Sequence, residues 1–211
     1  MTQPLVSIIT PTIPDRLPLL NRVRRSVRDQ DWPRIQHVIV SDRNEKIASQ
    51  HAYETWPGGC RHLVIVQINE VWRNPTSEAS VGAVPFHIGS LLAMGEFVGY
   101  CGDDDELLPD HIDLHVTAMR QAEAMFSVSA VDFRIGGEPW RVIGPSYDHG
   151  NLDAIGIMCH VDALKVANWT ANGEDAADYR LVRDWLNAGL RGVLVEGGPT
   201  AIHHDGWAAR Q

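Results

Sequence analysis

Residues 95–112, GEFVGYCGDDDELLPDHI, limit what this chain can fold into more than any other stretch. They begin with a short apolar run, 97–101, of the kind that forms a strand buried on both faces. Gly102 breaks the run, and Asp103, Asp104 and Asp105 follow. Pro109 then suits the first turn of a helix. The segment reads as a buried strand that delivers three carboxylates to one sheet edge, with a helix leaving it. Adjacent carboxylates repel one another. A fold tolerates them where a cation sits among them or where they face water. Taken alone, the triplet also suits a solvated helix N-terminus, where the helix dipole favours acids.

The rest of the chain supplies a sheet for that strand. Residues 5–10 (LVSIIT), 35–40 (IQHVIV) and 63–68 (LVIVQI) are β-rich apolar runs bounded by turn residues. Between the first two, Leu17, Leu20, Val23 and Val27 recur at helical spacing over 17–30. Arg22, Arg24, Arg25 and Arg28 lie between them and read as a solvated face. This strand–helix–strand order has the crossover length of a parallel βαβ unit. One short helix is expected within 43–61, and 69–80, with Trp72 and Arg73, reads as irregular. Further helices are expected over 84–94, with Gly95 at C′, over 109–124, over 161–167 and over 172–189, ended by Gly189. Residues 126–133 read as one strand, 134–158 as loops and short strands, and 192–195 as a last strand. No repeat or linker interrupts the chain, so 1–211 reads as a single domain. The alternation predicts an α/β layered sheet with ligands beyond the strands' C-terminal ends.

Composition narrows the partners. The formal net charge is −9. Nucleic acid and anionic membranes both need a basic footprint, so neither is an expected partner. A phosphate compound stays open, because a divalent ion reverses the local sign. No apolar run approaches the roughly 18 residues of a transmembrane helix. Nothing at the N-terminus resembles a signal peptide. Cys60, Cys101 and Cys159 are scattered, which fits a reducing cytoplasm better than a disulfide framework.

Three segments in order carry a resemblance: VSIITPT at the start, VIVSD after the second strand, and GEFVGYCGDDDELLPDH in the middle. Together they resemble family 2 glycosyltransferases of the GT-A fold, over most of residues 5–204. The resemblance implies a Rossmann-like three-layer sandwich with a mostly parallel central sheet. It implies that Thr10, Pro11 and Thr12 open a nucleotide site, that Asp42 contacts the base or ribose, and that Asp103 leans on the ribose. A D-x-D-like cluster in that family holds Mn²⁺ or Mg²⁺. Here Asp104 takes that role, with Asp105 as the alternative ligand. The family often has a first Asp where this chain has Gly102. A late His near the metal corresponds to His203 or His204. The family's general base is an Asp at a helix start, for which Asp178 matches the distance to the helix end and Asp175 matches the Glu174-Asp175 dipeptide. Helical spacing would place Asp175 and Asp178 on one face.

The chemistry needs such groups. Breaking the anomeric C–O bond leaves charge on a diphosphate, which a divalent ion offsets. Such ions take one or two carboxylates plus phosphates and water. The acceptor hydroxyl must lose a proton to a carboxylate in reach. The implied function is an inverting, metal-dependent transfer from a nucleoside-diphosphate sugar, UDP- or GDP-linked, to a glycan or other acceptor hydroxyl. A non-catalytic sugar-nucleotide or glycan-binding module of the same fold is the alternative. A nucleotidyltransferase fits less well, because PTIPDR is not the Gly-rich loop such enzymes carry.

Overall fold

The computed structural model describes residues 3–13, 16–42, 61–68, 82–170 and 175–205. The helix expected within 43–61 lies almost wholly outside these residues. So do Trp72, Arg73, Cys60 and Glu174.

The central sheet has seven strands. β1 (Val6–Thr12) pairs in parallel with β2 (Ile35–Asp42) on one side and with β4 (Phe97–Tyr100) on the other. β3 (Arg61–Ile68) adds in parallel to β2. β9 (Ile157–His160) enters antiparallel between β4 and β6 (Phe126–Val128), and β10 (Gly192–Leu194) closes that side in parallel with β6. β1 runs two residues beyond the expected end, through Pro11. Its pairing with β4 stops at Ile9↔Tyr100, so Pro11 has a ladder partner only in β2. A proline is tolerated on such a half-free strand.

Helices cover both faces, giving three layers. α1 (Leu17–Arg28) and α3 (His111–Ala122) pack on one face. Leu20, Val23, Val27, Ile112, Val116 and Met119 are buried there against Val6 and Ile8. α2 (Ala83–Leu91) and α4 (Ala177–Asn187) cover the other. Phe86, Leu181, Val182 and Trp185 meet Ile9, Val38, Tyr100 and Phe126 there. Trp185 is fully buried, and its indole N–H donates to the carbonyls of Ala163 and Ala167, both at 3.0 Å. Each fully buried aliphatic side chain contributes roughly 1.5–3 kcal/mol. No helix among the described residues is long and apolar enough to cross a membrane.

The second sheet departs from the expectation of one strand over 126–133. The chain leaves the central sheet after β6 and re-enters pairing as β7 (Val131–Ile135). β7 forms a four-stranded sheet with β8 (Glu138–Ile143), β11 (Ala201–Asp205) and the two-residue β5 (Glu106–Leu107). β11 was not expected at all. It lies between β7, with which it pairs in parallel from Ala201↔Val131 to Asp205↔Ile135, and β5, just after the acidic turn, which pairs antiparallel at Ala201↔Leu107 and Ile202↔Glu106. A buried chain of hydroxyls and imidazoles ties this junction to α3. His111 Nδ1 lies 2.8 Å from Thr200 Oγ1, which lies 2.7 Å from Ser129 Oγ. Burial lowers the pKa of His111 to about 4, so it is neutral near pH 7.

Two glycines play different parts than expected. Gly95 does not cap α2, which ends at Leu91 with Leu92 as its C-cap. Its main-chain N–H donates to Ser7 Oγ at 2.9 Å, and a Cβ there would stand 2.6 Å from Ser7 N. Gly95 therefore allows the chain to pass close to β1. Gly189 does end α4, with φ of 81°.

Candidate functional site

The acidic turn sits where the C-terminal ends of β1, β2 and β4 share one edge. β4 ends at Tyr100, and the turn closes with the Asp105 N–H donating to the Gly102 carbonyl at 3.3 Å. β5 then carries the chain to β11. Beneath the turn, burial and the neighbouring carboxylates push the Cys101 thiol pKa well up, so it stays protonated.

Each carboxylate meets a different partner. Asp103 is buried and accepts from the Thr12 hydroxyl at 2.8 Å. Burial raises its pKa to about 6, against the opposing pull of Arg16 and Thr12. Asp104 is hydrogen-bonded by the Arg16 guanidinium, whose Nε also lies 3.2 Å from Asp103 Oδ1. Arg22 donates to the Asp104 main-chain carbonyl at 3.3 Å. Asp105 points the other way. It accepts from the His204 N–H at 3.2 Å and lies 3.5 Å from His203 Nδ1. Burial holds its pKa well above the usual carboxylate range.

Gly102 follows from Asp105. A Cβ at 102 would stand 2.5 Å from Asp105 Oδ2. The Asp105 carboxylate thus fills the space that a side chain at 102 would need.

The two histidines separate, since neighbours on a strand face opposite ways. His203 faces the acids. It stacks on Phe133, with ring centroids 4.3 Å apart, and lies 3.5 Å from Asp153 Oδ2 as well as from Asp105. His204 turns toward Glu106, 3.7 Å away, and toward the side of Arg22. Only its main chain reaches the acidic turn.

Asp178 and Asp175 also separate. The helix starts at Ala177, two residues after Asp175, so the expected shared helical face does not exist. Asp175 pairs with Arg183 at 2.7 Å on the solvent side, with 42% of its side chain exposed. Asp178, in the first turn of α4, is turned inward. Burial raises its pKa to about 6, and the nearby charge of Asp153 pushes the same way. Arg180 donates to the carbonyls of Asp175 and of Thr170, the latter at 2.5 Å, and so pins the segment before the helix.

Among the nucleotide-site residues, Thr12 and Asp103 are joined by their hydrogen bond. Pro11 is half-buried within β1. Thr10 lies deeper than the edge. It is fully buried, with Oγ1 2.9 Å from His37 Nε2, and so braces β1 against β2. Asp42 closes β2 one register step beyond Ser41, the partner of Thr12.

Two residues of the site were missed in the sequence. Arg16 lies in the loop just before α1, within the PTIPDR segment. Asp153 lies in a loop, where its Oδ1 accepts from the Ile155 N–H at 3.0 Å to cap a 3-10 turn, Ala154–Gly156. Neither has a sequence signal of its own. Of the expected solvated face, Arg22, Arg25 and Arg28 are exposed, Arg22 also reaching the acidic turn, whereas Arg24 is buried.

The donor set suits a hard cation only in part. Among the described residues, no three His, Cys, Asp or Glu side chains form a ready metal cage. Ions that complete their shell with phosphates and water need only one or two carboxylates. Asp103 and Asp104 are already arranged about a positive charge, the Arg16 guanidinium. Their oxygens therefore fit such an ion.

No family model and no curated protein matches the chain. Solved structures do. The crystal structure of S. aureus TarS residues 1–349 matches with a TM-score of 0.69 and 15% identity, over 95% of this chain and 60% of that one. Its complex with UDP gives 0.67 at 15% identity, over 95% and 60%. Its complex with UDP-GlcNAc gives 0.71 at 15% identity, over 95% and 58%. This chain thus spans less than two thirds of the length of these proteins. At such identity the likeness is one of fold: a mixed α/β architecture with a mostly parallel seven-stranded sheet, matching the TarS glycosyltransferase fold.

Proposed function

We propose that this chain is an inverting glycosyltransferase that moves a sugar from a nucleoside-diphosphate sugar to an acceptor hydroxyl. The observation that carries the reading is the gathering at one sheet edge of Asp103, Asp104 and Asp105 with His203, Asp153 and Asp178. The fold shared with TarS, which binds UDP and UDP-GlcNAc in its crystal structures, supports it. A UDP-linked donor is therefore the first to test, with a GDP-linked one second.

The residues divide the work. Thr12 fixes the Asp103 carboxylate, which is placed to orient the donor's ribose beside Pro11 and Asp42. Asp104, with Asp103 or Asp105, would hold Mn²⁺ or Mg²⁺, which when bound supplies Lewis-acid stabilisation of the diphosphate leaving group. His203 is the imidazole that can join them, and His204 steadies Asp105 through its main-chain N–H. Asp178 accepts the acceptor's proton on its carboxylate. With a pKa of about 6 it is ionised near pH 7 yet more basic than an ordinary Asp, which suits a general base. Asp153 raises that basicity by charge. Asp175 takes no part.

A binding module without turnover is the second reading, and one observation favours it: Arg16 already offsets Asp103 and Asp104. A thermal-shift panel of UDP-, GDP-, CDP- and dTDP-sugars, with and without Mn²⁺, tests donor binding. One class should raise Tm, and the rise should vanish in Asp104→Ala. If none does, the donor reading falls. Slow Mn²⁺-dependent hydrolysis of the bound sugar nucleotide would exclude the module.

A further inference from the structure

We infer that Arg16 is the resident counter-cation of the acidic turn, and that a divalent ion enters only by displacing it. The inference rests on the proposed metal-assisted donor site and adds a residue to it. Arg16 immediately precedes α1, on the segment that leaves β1. Its main-chain N–H donates to the Ile13 carbonyl at 3.1 Å, so its backbone is held in a turn. Its side chain crosses to the acidic turn, where it hydrogen-bonds Asp104 and lies 3.2 Å from Asp103. The second contact is an ion pair off the hydrogen-bond line. The group is enclosed: the side chains of Arg16, Asp103 and Asp104 are 15%, 4% and 14% exposed.

Two consequences follow from electrostatics. First, carboxylates this close and this buried need positive charge beside them. Arg16 supplies a single charge. A divalent ion supplies two, and at the oxygens Arg16 now occupies, Asp104 Oδ2 and Asp103 Oδ1, it competes with the guanidinium. Second, the exchange costs little structure. Arginine's charge sits on a flexible stem, and here only the side chain must swing. Arg22 keeps its own contact to the Asp104 main-chain carbonyl, which holds the turn while Arg16 leaves. The freed guanidinium then stands at the mouth of the donor site. Its planar fork matches the phosphate oxygens of a nucleoside diphosphate. Metal entry and donor grip are thereby coupled through one side chain.

The test uses the whole chain and Mn²⁺ alone. Loss of the free-ion paramagnetic resonance signal reports Mn²⁺ uptake without any nucleotide. Arg16→Gln should bind Mn²⁺ about tenfold more tightly than the wild type, and Arg16→Lys should fall between them. Mn²⁺ should also raise the Tm of Arg16→Gln more than that of the wild type, a readout that remains usable if the variant is less stable. Equal or weaker Mn²⁺ binding in Arg16→Gln overturns the inference, as does an absence of uptake by both proteins. With Mn²⁺ saturating, UDP should bind Arg16→Gln about tenfold more weakly than wild type; equal affinity overturns the coupling to the donor. If the wild type binds no nucleoside diphosphate, the proposed function fails, while the competition between Arg16 and Mn²⁺ is still decided by the nucleotide-free titration.

Discussion

Replacing Asp178 with Asn should make the protein more stable and end its catalysis. The reason lies in the cost of holding a carboxylate where Asp178 stands. Its pKa of about 6 compares with an ordinary 3.8, and burial is the larger cause. The shift of about two units corresponds to ~3 kcal/mol, at about 1.36 kcal/mol per unit. The sign follows from proton binding. Between pH 4 and 6, roughly, the folded state holds this proton more tightly than the unfolded chain, so stability falls as pH rises through that window. Above it the whole penalty stands. Asn cannot ionise and escapes it. Asn also keeps the acceptor for the Tyr179 N–H, now 2.7 Å from Asp178 Oδ1. It loses the attraction of a negative charge to the α4 N-terminus, about 0.3–1 kcal/mol. The net gain near pH 7.5 is about 2 kcal/mol, a rise of roughly 4–8 °C in Tm for a chain of this size.

Thermal melts of both proteins from pH 4 to 8 measure it. The gap between them should close toward pH 4, where folded Asp178 is protonated and the unfolded side chain nears its own pKa of 3.8. Titration calorimetry should find donor affinity unchanged, while transfer falls by about 10²–10⁴. A variant that melts at or below the wild type near pH 7.5, or a gap that does not shrink on acidification, would refute the buried, charged Asp178. Retained transfer would refute its role as base.

Other expectations use the same geometry. Asp153→Asn keeps the acceptor for Ile155 but removes the charge beside Asp178; the acid limb of kcat/KM should move below its wild-type position near pH 6, and an unmoved limb would separate the two residues. Asp175→Asn breaks an exposed pair with Arg183; transfer should be unaffected and stability should change by less than about 1 kcal/mol, as read by denaturant melts. Gly102→Ala would press a methyl group onto the Asp105 carboxylate; a loss of about 1–3 kcal/mol is expected, together with weaker Mn²⁺ binding if Asp105 borders the ion. A fully stable Gly102→Ala would show that Asp105 can leave freely.

The parts legible in the sequence are those where one residue type must repeat. β1, β2 and β4 are buried and β3 is half-buried, and each reads as a β-rich, mostly apolar run. α1 shows its buried stripe through Leu20, Val23 and Val27. The second sheet was not legible, for two reasons. The path from β6 to β7 crosses only Ser129 and Ala130, with no Gly or Pro, so the break between sheets leaves no strong mark. β8 is exposed almost throughout, and β11 is built on pairing with β7 and with the two-residue β5, both far from it in sequence. The site divides in the same way. Asp103, Asp104, Asp105, His203 and Asp178 stood out because their positions match a motif or a helix start. Arg16 and Asp153 act through distance alone, and only the folded chain brings them to the acids.

The acidic turn also shows how one cluster can satisfy repulsion by several means at once. Asp103 and Asp104 share the Arg16 guanidinium, and Asp103 adds the Thr12 hydroxyl. Asp105 cannot reach Arg16, because its carboxylate folds back over Gly102. It faces His203 and the His204 N–H, and burial drives it toward its protonated form. Had residue 102 carried a side chain, Asp105 could not occupy that space. Glycine at 102 and the inward turn of Asp105 are therefore one feature, not two. The cluster keeps two carboxylates at a cation and sends the third toward His203 and Asp153, the latter of which lies near Asp178. That third carboxylate links the face where the donor's charge would be held to the face where the acceptor's proton would be taken.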